Sequence, residues 1–157
     1  MDLQIIRTRH PPADYLEQLV TFLDLETLDI TLDDLRHRLE LLPGEDRFFL
    51  ALDGEFLIGY AHFRVAHDLA SQDTVELLDI VVSKELRRQG VGRRLMTAAE
   101  TWATQAERAK LVLRADVVRS EALAFFSSLG YTQTITSQEY VRDLDDARRS
   151  EAPTQPQ

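Results

Sequence analysis

Residues 75–102, VELLDIVVSKELRRQGVGRRLMTAAETW, set an apolar run, a short polar loop, a basic glycine turn and an amphipathic segment in direct succession. Val75, Leu77, Leu78, Ile80, Val81 and Val82 predict a strand from their β-branched and aliphatic character. After Gly92, the positions Leu95, Ala98, Ala99, Trp102 and Ala106 return to one face at helical spacing. Between the two lies Arg87-Arg88-Gln89-Gly90-Val91-Gly92. Glycines let backbone N–H groups approach an anion closely, and the helix that follows aims its positive end at the same place. A strand running into such a turn predicts a pyrophosphate site.

Other phosphate motifs fit less well. A Walker loop needs Lys-Ser or Lys-Thr after its last glycine, where this chain has Arg93-Arg94. A dinucleotide fingerprint needs a third small residue where Leu95 stands, although Asp116 could imitate its acidic residue. The loop 83–89 is also longer than the tight turn of that fold, whose presence would mean binding of NAD. The plain alternative is that the glycines only cap a strand-to-helix connection.

At 157 residues the chain predicts one domain with a proper core. Its 44% hydrophobic and 29% charged residues describe an ordinary soluble globule. No apolar run approaches the roughly 20 residues of a membrane span, and the first residues lack a signal-peptide core, so a cytoplasmic protein is expected. With no cysteine, disulfides, zinc–thiolate sites and a cysteine nucleophile are excluded. The four histidines show no metal-ligand spacing, and no metal is expected. The net charge of −9 argues against nucleic acid and favours a cationic partner, though acidity that maintains solubility explains it equally. Arg87, Arg88, Arg93 and Arg94 crowd the glycine turn in this acidic chain, as a polyanionic ligand end requires. Whether the chain works alone or as a homodimer is left open.

Along the chain, 3–7 reads as a strand, and a helix after Pro11-Pro12 carries Tyr15, Leu16, Leu19, Val20 and Leu23. A second helix starts at Thr31, with Asp34 completing a capping-box pair, and stops at Pro43-Gly44. Strands at 47–52 and 55–65 join across Asp53-Gly54, a type I′ hairpin signal. Gly59 marks a bulge or a close backbone approach in the second of them. Further strands are expected at 110–115, 131–135 and 138–142, with a helix at 120–129 closed by Gly130. The domain spans 1–142, and 143–157 reads as a frayed charged and Pro/Gln-rich tail.

The glycine turn, with Arg87, Gly90 and Gly92 in place, resembles the acetyl-CoA-binding motif of the GNAT superfamily of N-acetyltransferases. Residues 119–131, RSEALAFFSSLGY, resemble the second CoA segment of that family at Ala122, Phe125, Gly130 and Tyr131. The resemblance implies an α+β, three-layer α/β/α fold, with a mixed, mostly antiparallel sheet of about seven strands and helices on both faces. The sheet should splay after the strand of Val75 to admit the cosubstrate. It further implies an acetyl-CoA-dependent N-acetyltransferase that acylates a primary amine, of a small molecule or a peptide, by direct attack in a ternary complex. A non-catalytic CoA-binding module is the alternative.

Acetyl transfer requires an amine that loses a proton, a polarised thioester oxygen and a departing thiolate. Glu76 and Asp79 are the carboxylates on the strand before the turn. Three residues apart, they project to opposite faces unless a bulge intervenes. By resemblance, Glu76 takes the place of the glutamate base of histone-type members, while in others an acid near Asp79 does so; a strand-end carboxylate paired to an arginine is the structural alternative. The family's pantetheine contacts fall on the backbone of Ile80 and Val82, with Val81 or Val82 as oxyanion donor. Its pyrophosphate contacts fall on the turn, from Arg87 through Arg88, Gln89, Gly90, Val91 and Gly92 to Arg93. Two positions depart from the pattern: Arg119 replaces an asparagine that contacts CoA, and Phe126 replaces the tyrosine that protonates the thiolate. The acceptor pocket of the family maps onto the helix connection, where Asp24, Glu26 and Asp29 could bind a cationic amine; a solvated helix face explains the same residues. His62 and His67 could reach the cleft, or be surface or satisfied histidines.

Overall fold

A computed structural model describes residues 1–25, 29–67, 69, 74–114, 120–134 and 138–145. It divides into two compact units, Met1–Val118 and Arg119–Gln157.

The first unit is built on one sheet of strands β1 (Leu3–Thr8), β2 (Arg47–Asp53), β3 (Phe56–Val65), β4 (Thr74–Val82) and β5 (Lys110–Leu113), neighbours in that order. Pairing is antiparallel throughout except between β4 and β5, which run parallel. Helices α1 (Ala13–Leu25) and α2 (Leu32–Glu40) follow β1, and α3 (Val91–Gln105) makes the crossover from β4 to β5. The mixed, mostly antiparallel sheet agrees with expectation.

Alternation along β2 shows how both faces are covered. Phe48, Leu50 and Leu52 join Leu16, Leu19, Phe22, Leu35 and Leu39 in one core beneath α1 and α2. Phe49, one residue out of step, meets Phe63 and Trp102 of α3 on the other face. Strands buried on both sides read as continuous apolar runs, as FFLAL does. The capping box at α2 forms as read: Asp34 N donates to Thr31 Oγ1 at 3.1 Å, and Thr31 N to Asp34 Oδ2 at 3.2 Å. No helix among the described residues is long and apolar enough to cross a membrane.

The β2–β3 hairpin corrects the expected type I′ turn. That turn needs positive φ at both central residues, and here only Gly54 has it, at +60°. Glu55 carries a Cβ that penalises the left-handed region, so glycine alone at the first central position gives the II′ arrangement. Ile58 is then inserted against β2, because Leu52 pairs Leu57 while Ala51 pairs Gly59. Gln18 of α1 serves the hairpin there, accepting from Leu57 N at 2.8 Å. Beside the bulge, a Cβ on Gly59 would stand 2.9 Å from the carbonyl oxygen of Val81, so the close approach is real.

The second unit holds α4 (Ser120–Ser128). It ends in a Schellman motif, with Tyr131 N donating to Phe126 O and Gly130 N to Ser127 O, both at 3.1 Å. Gly130 takes the left-handed φ of +92° that the motif requires. The sheet has five strands among the described residues rather than about seven. The described parts of 131–135 and 138–142 are irregular, with Tyr140 and Val141 almost fully exposed. Strand propensity expresses packing on a half-buried surface, and the exposed Tyr140 and Val141 are not on one.

Gly59→Ala is expected to lower unfolding stability by about 1–3 kcal/mol, since a backbone carbonyl must yield to the added methyl. Gly44→Ala, where the methyl meets nothing within 4 Å, is the control. Urea midpoints read at constant slope check both.

Candidate functional site

Between β3 and β4 the register shifts once more. Asp79 pairs His62 and Leu77 pairs Phe63, so Leu78 is an inserted residue and sits half exposed. One extra residue turns the strand over, which puts Glu76 and Asp79 on the same face. That is the face of α1 and α2, because Asp79 Oδ2 accepts from the Tyr60 hydroxyl at 2.5 Å and Tyr60 packs edge-on against Phe22. Glu76 lies opposite Arg64 and accepts from Arg114 Nη1 at 2.9 Å. The arginine pairing expected under the structural alternative is thus present.

The same bulge ends the β4–β5 ladder. Pairing runs only from Thr74↔Lys110 to Leu77↔Leu113. Beyond it, Asp79, Ile80, Val81 and Val82 pair with β3 and have no described partner on the β5 side. Their outward backbone groups suit an extended amide-bearing arm.

At the end of β4 the chain closes against β3 through Ser83 N to Ile58 O at 2.9 Å. A short turn (Lys84–Leu86) leads to Arg87, whose Nε reaches back to Val82 O at 3.4 Å. Arg88 and Gly90 both adopt positive φ, +65° and +85°. Gly90 caps α3 with no side-chain hydrogen bond, and no acid sits in the first helical turn. The leading amides of α3 therefore keep their donors for an outside anion, with exposed Gln89 and Arg93 beside them, Val91 buried and Gly92 half-buried. A glycine-poor cap with Ser or Asp would have consumed those donors itself.

Sequence reasoning missed the polar group at the other end of the face. Asp46, in the turn before β2, is only 1% exposed and is the single buried charged residue among the described residues. It holds Arg64 by Nε at 3.1 Å and Nη2 at 3.0 Å, and His62 by Nε2 at 2.8 Å. The imidazole stacks on Phe48, ring centres 4.2 Å apart. Burial pushes the His62 pKa below that of free imidazole, and the bond to Asp46 only partly opposes this. The same carboxylate raises the Arg64 pKa through its hydrogen bonds. An acid after Pro-Gly-Glu reads as a surface turn, and its partners lie 16 and 18 residues away, so no local signal marked it.

Other expected residues are more scattered. Asp24, on the last turn of α1, and Asp29, before α2, are exposed and form no ion pair among the described residues. Glu26 and Arg119 lie outside the described residues. Phe126 is buried in the second unit, edge-on to Phe125 and to Tyr131 at 5.0 and 5.9 Å. His67 is exposed and paired to Glu45. No described trio of His, Asp or Glu gathers as metal ligands. A cavity of about 270 Å³ opens beside Arg7, Phe49, Thr101 and Trp102, on the sheet face opposite Asp79.

The model of the acetyltransferase (GNAT) family matches residues 13–131. Among curated proteins, none matches the chain. Among solved structures, an aminoglycoside acetyltransferase from an uncultured soil metagenomic sample, in complex with trehalose, is 22% identical. The match covers 90% of this chain and 97% of that one, with a TM-score of 0.73. AAC(6')-Iy in complex with the bisubstrate analogue CoA-S-monomethyl-acetylneamine is 19% identical over 91% and 99% of the two chains, at 0.78. An integron cassette protein from the mobile metagenome of V. cholerae is 19% identical over 98% and 99%, at 0.76. At these identities the likeness is one of fold.

The depressed His62 pKa carries a stability consequence. The unfolded chain binds a proton at this histidine more readily than the folded one, so stability rises with pH across the gap. The contribution is complete above the free value of about 6.5 and is lost as pH falls from there toward the folded value. Denaturant unfolding between pH 7.5 and 5 is expected to show that loss, and His62→Gln to flatten it.

Proposed function

The chain belongs to the GNAT acetyltransferase family, which draws its acetyl group from acetyl-CoA, and we propose that this member acetylates a primary amine of a small cationic molecule. The observation that carries this reading is the bulge at Leu78. It sets two carboxylates, Glu76 and Asp79, on one face, at the point where the β4 edge loses its β5 partner. Twelve residues after Leu78, Gly90 opens α3 with its amides uncapped. An anionic ligand end, an extended arm and an amine acceptor thus each have a matching surface. The net charge of −9 favours a cationic acceptor, and the likeness in fold to aminoglycoside acetyltransferases makes aminoglycosides the first class to test.

In the transfer, the amine lone pair attacks the thioester carbon, the C–S bond breaks with its electrons on sulfur, and the amine sheds a proton. The chain's part is to orient and to manage charge. The outward amides of Ile80, Val81 and Val82 hold the pantetheine arm and supply the oxyanion donor. The amides and side chains from Arg87 to Arg93 hold the pyrophosphate. Glu76 and Asp79 draw in the ammonium group and accept its proton. Asp24 and Asp29 steer further cationic groups of the acceptor. Attack is direct, since the chain has no cysteine to carry an acetyl group. The Phe126 ring has no proton to give, and a thiol pKa of about 8.5 lets the thiolate leave without one.

Thiol release from acetyl-CoA across aminoglycosides, polyamines, amino acids and peptide N-termini tests the proposal. Tight acetyl-CoA binding with no turnover on any of them would identify a non-catalytic CoA-binding module instead. Gly90→Asp is expected to abolish CoA binding in a folded protein by placing a negative charge at the helix entrance; retained micromolar affinity in calorimetry would mean the pyrophosphate binds elsewhere. Glu76→Gln is expected to slow the reaction about 10²–10⁴-fold at neutral pH with acetyl-CoA affinity little changed. The deficit should shrink as pH nears the amine pKa of about 10. Asp79→Asn beside it assigns the proton to one carboxylate or the other.

A further inference from the structure

The pair formed by Asp46 and His62 has the build of an oriented proton acceptor, and it lies directly across from one of the two carboxylates. Cross-strand partners on one face hold their Cβ atoms about 4.5–5.5 Å apart, and Asp79 is the partner of His62. We propose that His62 is a positioning and proton-accepting residue behind Asp79: the proton taken from the acceptor amine passes from the Asp79 carboxyl to Nδ1 of His62. This rests on the amine acetylation proposed above, with Asp79 as the carboxylate of the pair that takes the proton and Glu76 beside it holding the ammonium group.

The assignment of the ring nitrogens follows from the neighbours. Asp46 is held in a fork by Nε and Nη2 of Arg64, an arginine that stays protonated, so the carboxylate can only accept. His62 Nε2 must therefore carry the hydrogen and donate it to Asp46 Oδ2. That leaves the lone pair on Nδ1. Among the described residues Nδ1 has no hydrogen-bond partner, and it is not sealed from solvent. Stacking on Phe48 sets the plane of the ring, and the bond to Asp46 sets which nitrogen faces it.

The charged groups that face the ring are Asp46 from the turn before β2, Arg64 from its own strand, and Asp79 from β4. Tyr60, on the same face, is bound to Asp79. Burial favours the neutral, proton-accepting imidazole, while Asp46 and Asp79 both favour the cation once it forms. No proton is lost in the sequence. The amine gives one to Asp79, Asp79 returns to carboxylate, and the imidazolium stands between two anions before releasing its proton to solvent. An imidazole is by nature a stronger proton acceptor than a carboxylate, and Asp46 and Asp79 offset part of what burial costs the imidazolium, so the relay gives the amine's proton a further acceptor.

The experiment has two arms on the full chain. In the first, the His62 imidazole is titrated by NMR in the wild type and in Asp79→Asn, without substrate. The expected result is a protonated Nε2 in the neutral form and a downward shift of the His62 pKa when Asp79 loses its charge. A neutral tautomer carrying hydrogen on Nδ1, or a titration unmoved by Asp79→Asn, overturns the proposal whether or not the enzyme turns over.

In the second arm, pH–rate profiles are measured with acetyl-CoA and neamine or spermidine as acceptor. His62→Gln, whose amide can still donate to Asp46, is expected to lower kcat about 10²-fold at pH 7 with the KM for acetyl-CoA within twofold. It should also move the acid limb of kcat/KM out of the imidazole range toward the carboxylate range. Asp46→Asn should move that limb down while leaving it present, and His67→Gln should leave rate and profile alone. A His62→Gln enzyme that is folded and keeps the wild-type limb overturns the relay and reduces the network to a structural one. A wild type that acetylates none of the amines sinks the activity reading instead, while the NMR arm still decides the pairing.

Discussion

Everything at the candidate site hangs on one inserted residue in β4. A strand alternates its side chains, so whatever lies an odd number of positions apart is held on opposite sides of the sheet. Leu78 breaks that parity between Glu76 and Asp79, and three effects follow from it together. The two carboxylates share the face beneath α1 and α2. The ladder to β5 ends at Leu77, leaving the next backbone groups uncommitted. The strand is redirected so that it delivers the chain to Ser83 and the basic glycine turn. Removal of the insertion would separate the acids and close the edge at once.

The glycine turn was legible because its demand is on backbone freedom, and only glycine meets that demand cheaply. Gly90 at φ +85° and Gly130 at +92° stand where the letters placed them. Gly59 was legible for the same reason, as a place where two backbones nearly touch. The family of the chain was also legible, because the strand, the turn and the helix each constrain the others. What failed was whatever depends on a partner far along the chain. A bulge between Glu76 and Asp79 was allowed for, but Leu78 is an ordinary aliphatic residue, and nothing in its identity says it will be the one left over. Asp46 became a buried ion only because Arg64 and His62 return to it from the far side of a hairpin. Tyr131, Gln138 and Tyr140 alternate well enough for strands, yet the backbone there is irregular. Glu55 settled the hairpin type by carrying a Cβ where type I′ tolerates one poorly.

The second unit gives Phe126 a structural occupation. Its carbonyl accepts the closing bond of the Schellman motif, and its ring meets Tyr131, the residue that donates that bond. Such an apolar contact across a helix end fixes how the chain leaves α4. The position therefore serves the helix stop through its ring. Its side chain is spent on packing the helix end.

The two insertions in the sheet also bracket one short block of β3, with Ile58 at its start and Leu78 opposite its end. Between them Gly59 faces Val82 and His62 faces Asp79. A slide of β4 by one residue would turn its side chains over, and a slide by two would carry a side chain into the slot that only Gly59 leaves open against the Val81 carbonyl. The bulges and the bare glycine act as three pins in one hinge plate. The pairing that aligns acid with imidazole is the register that both bulges and the bare glycine fit.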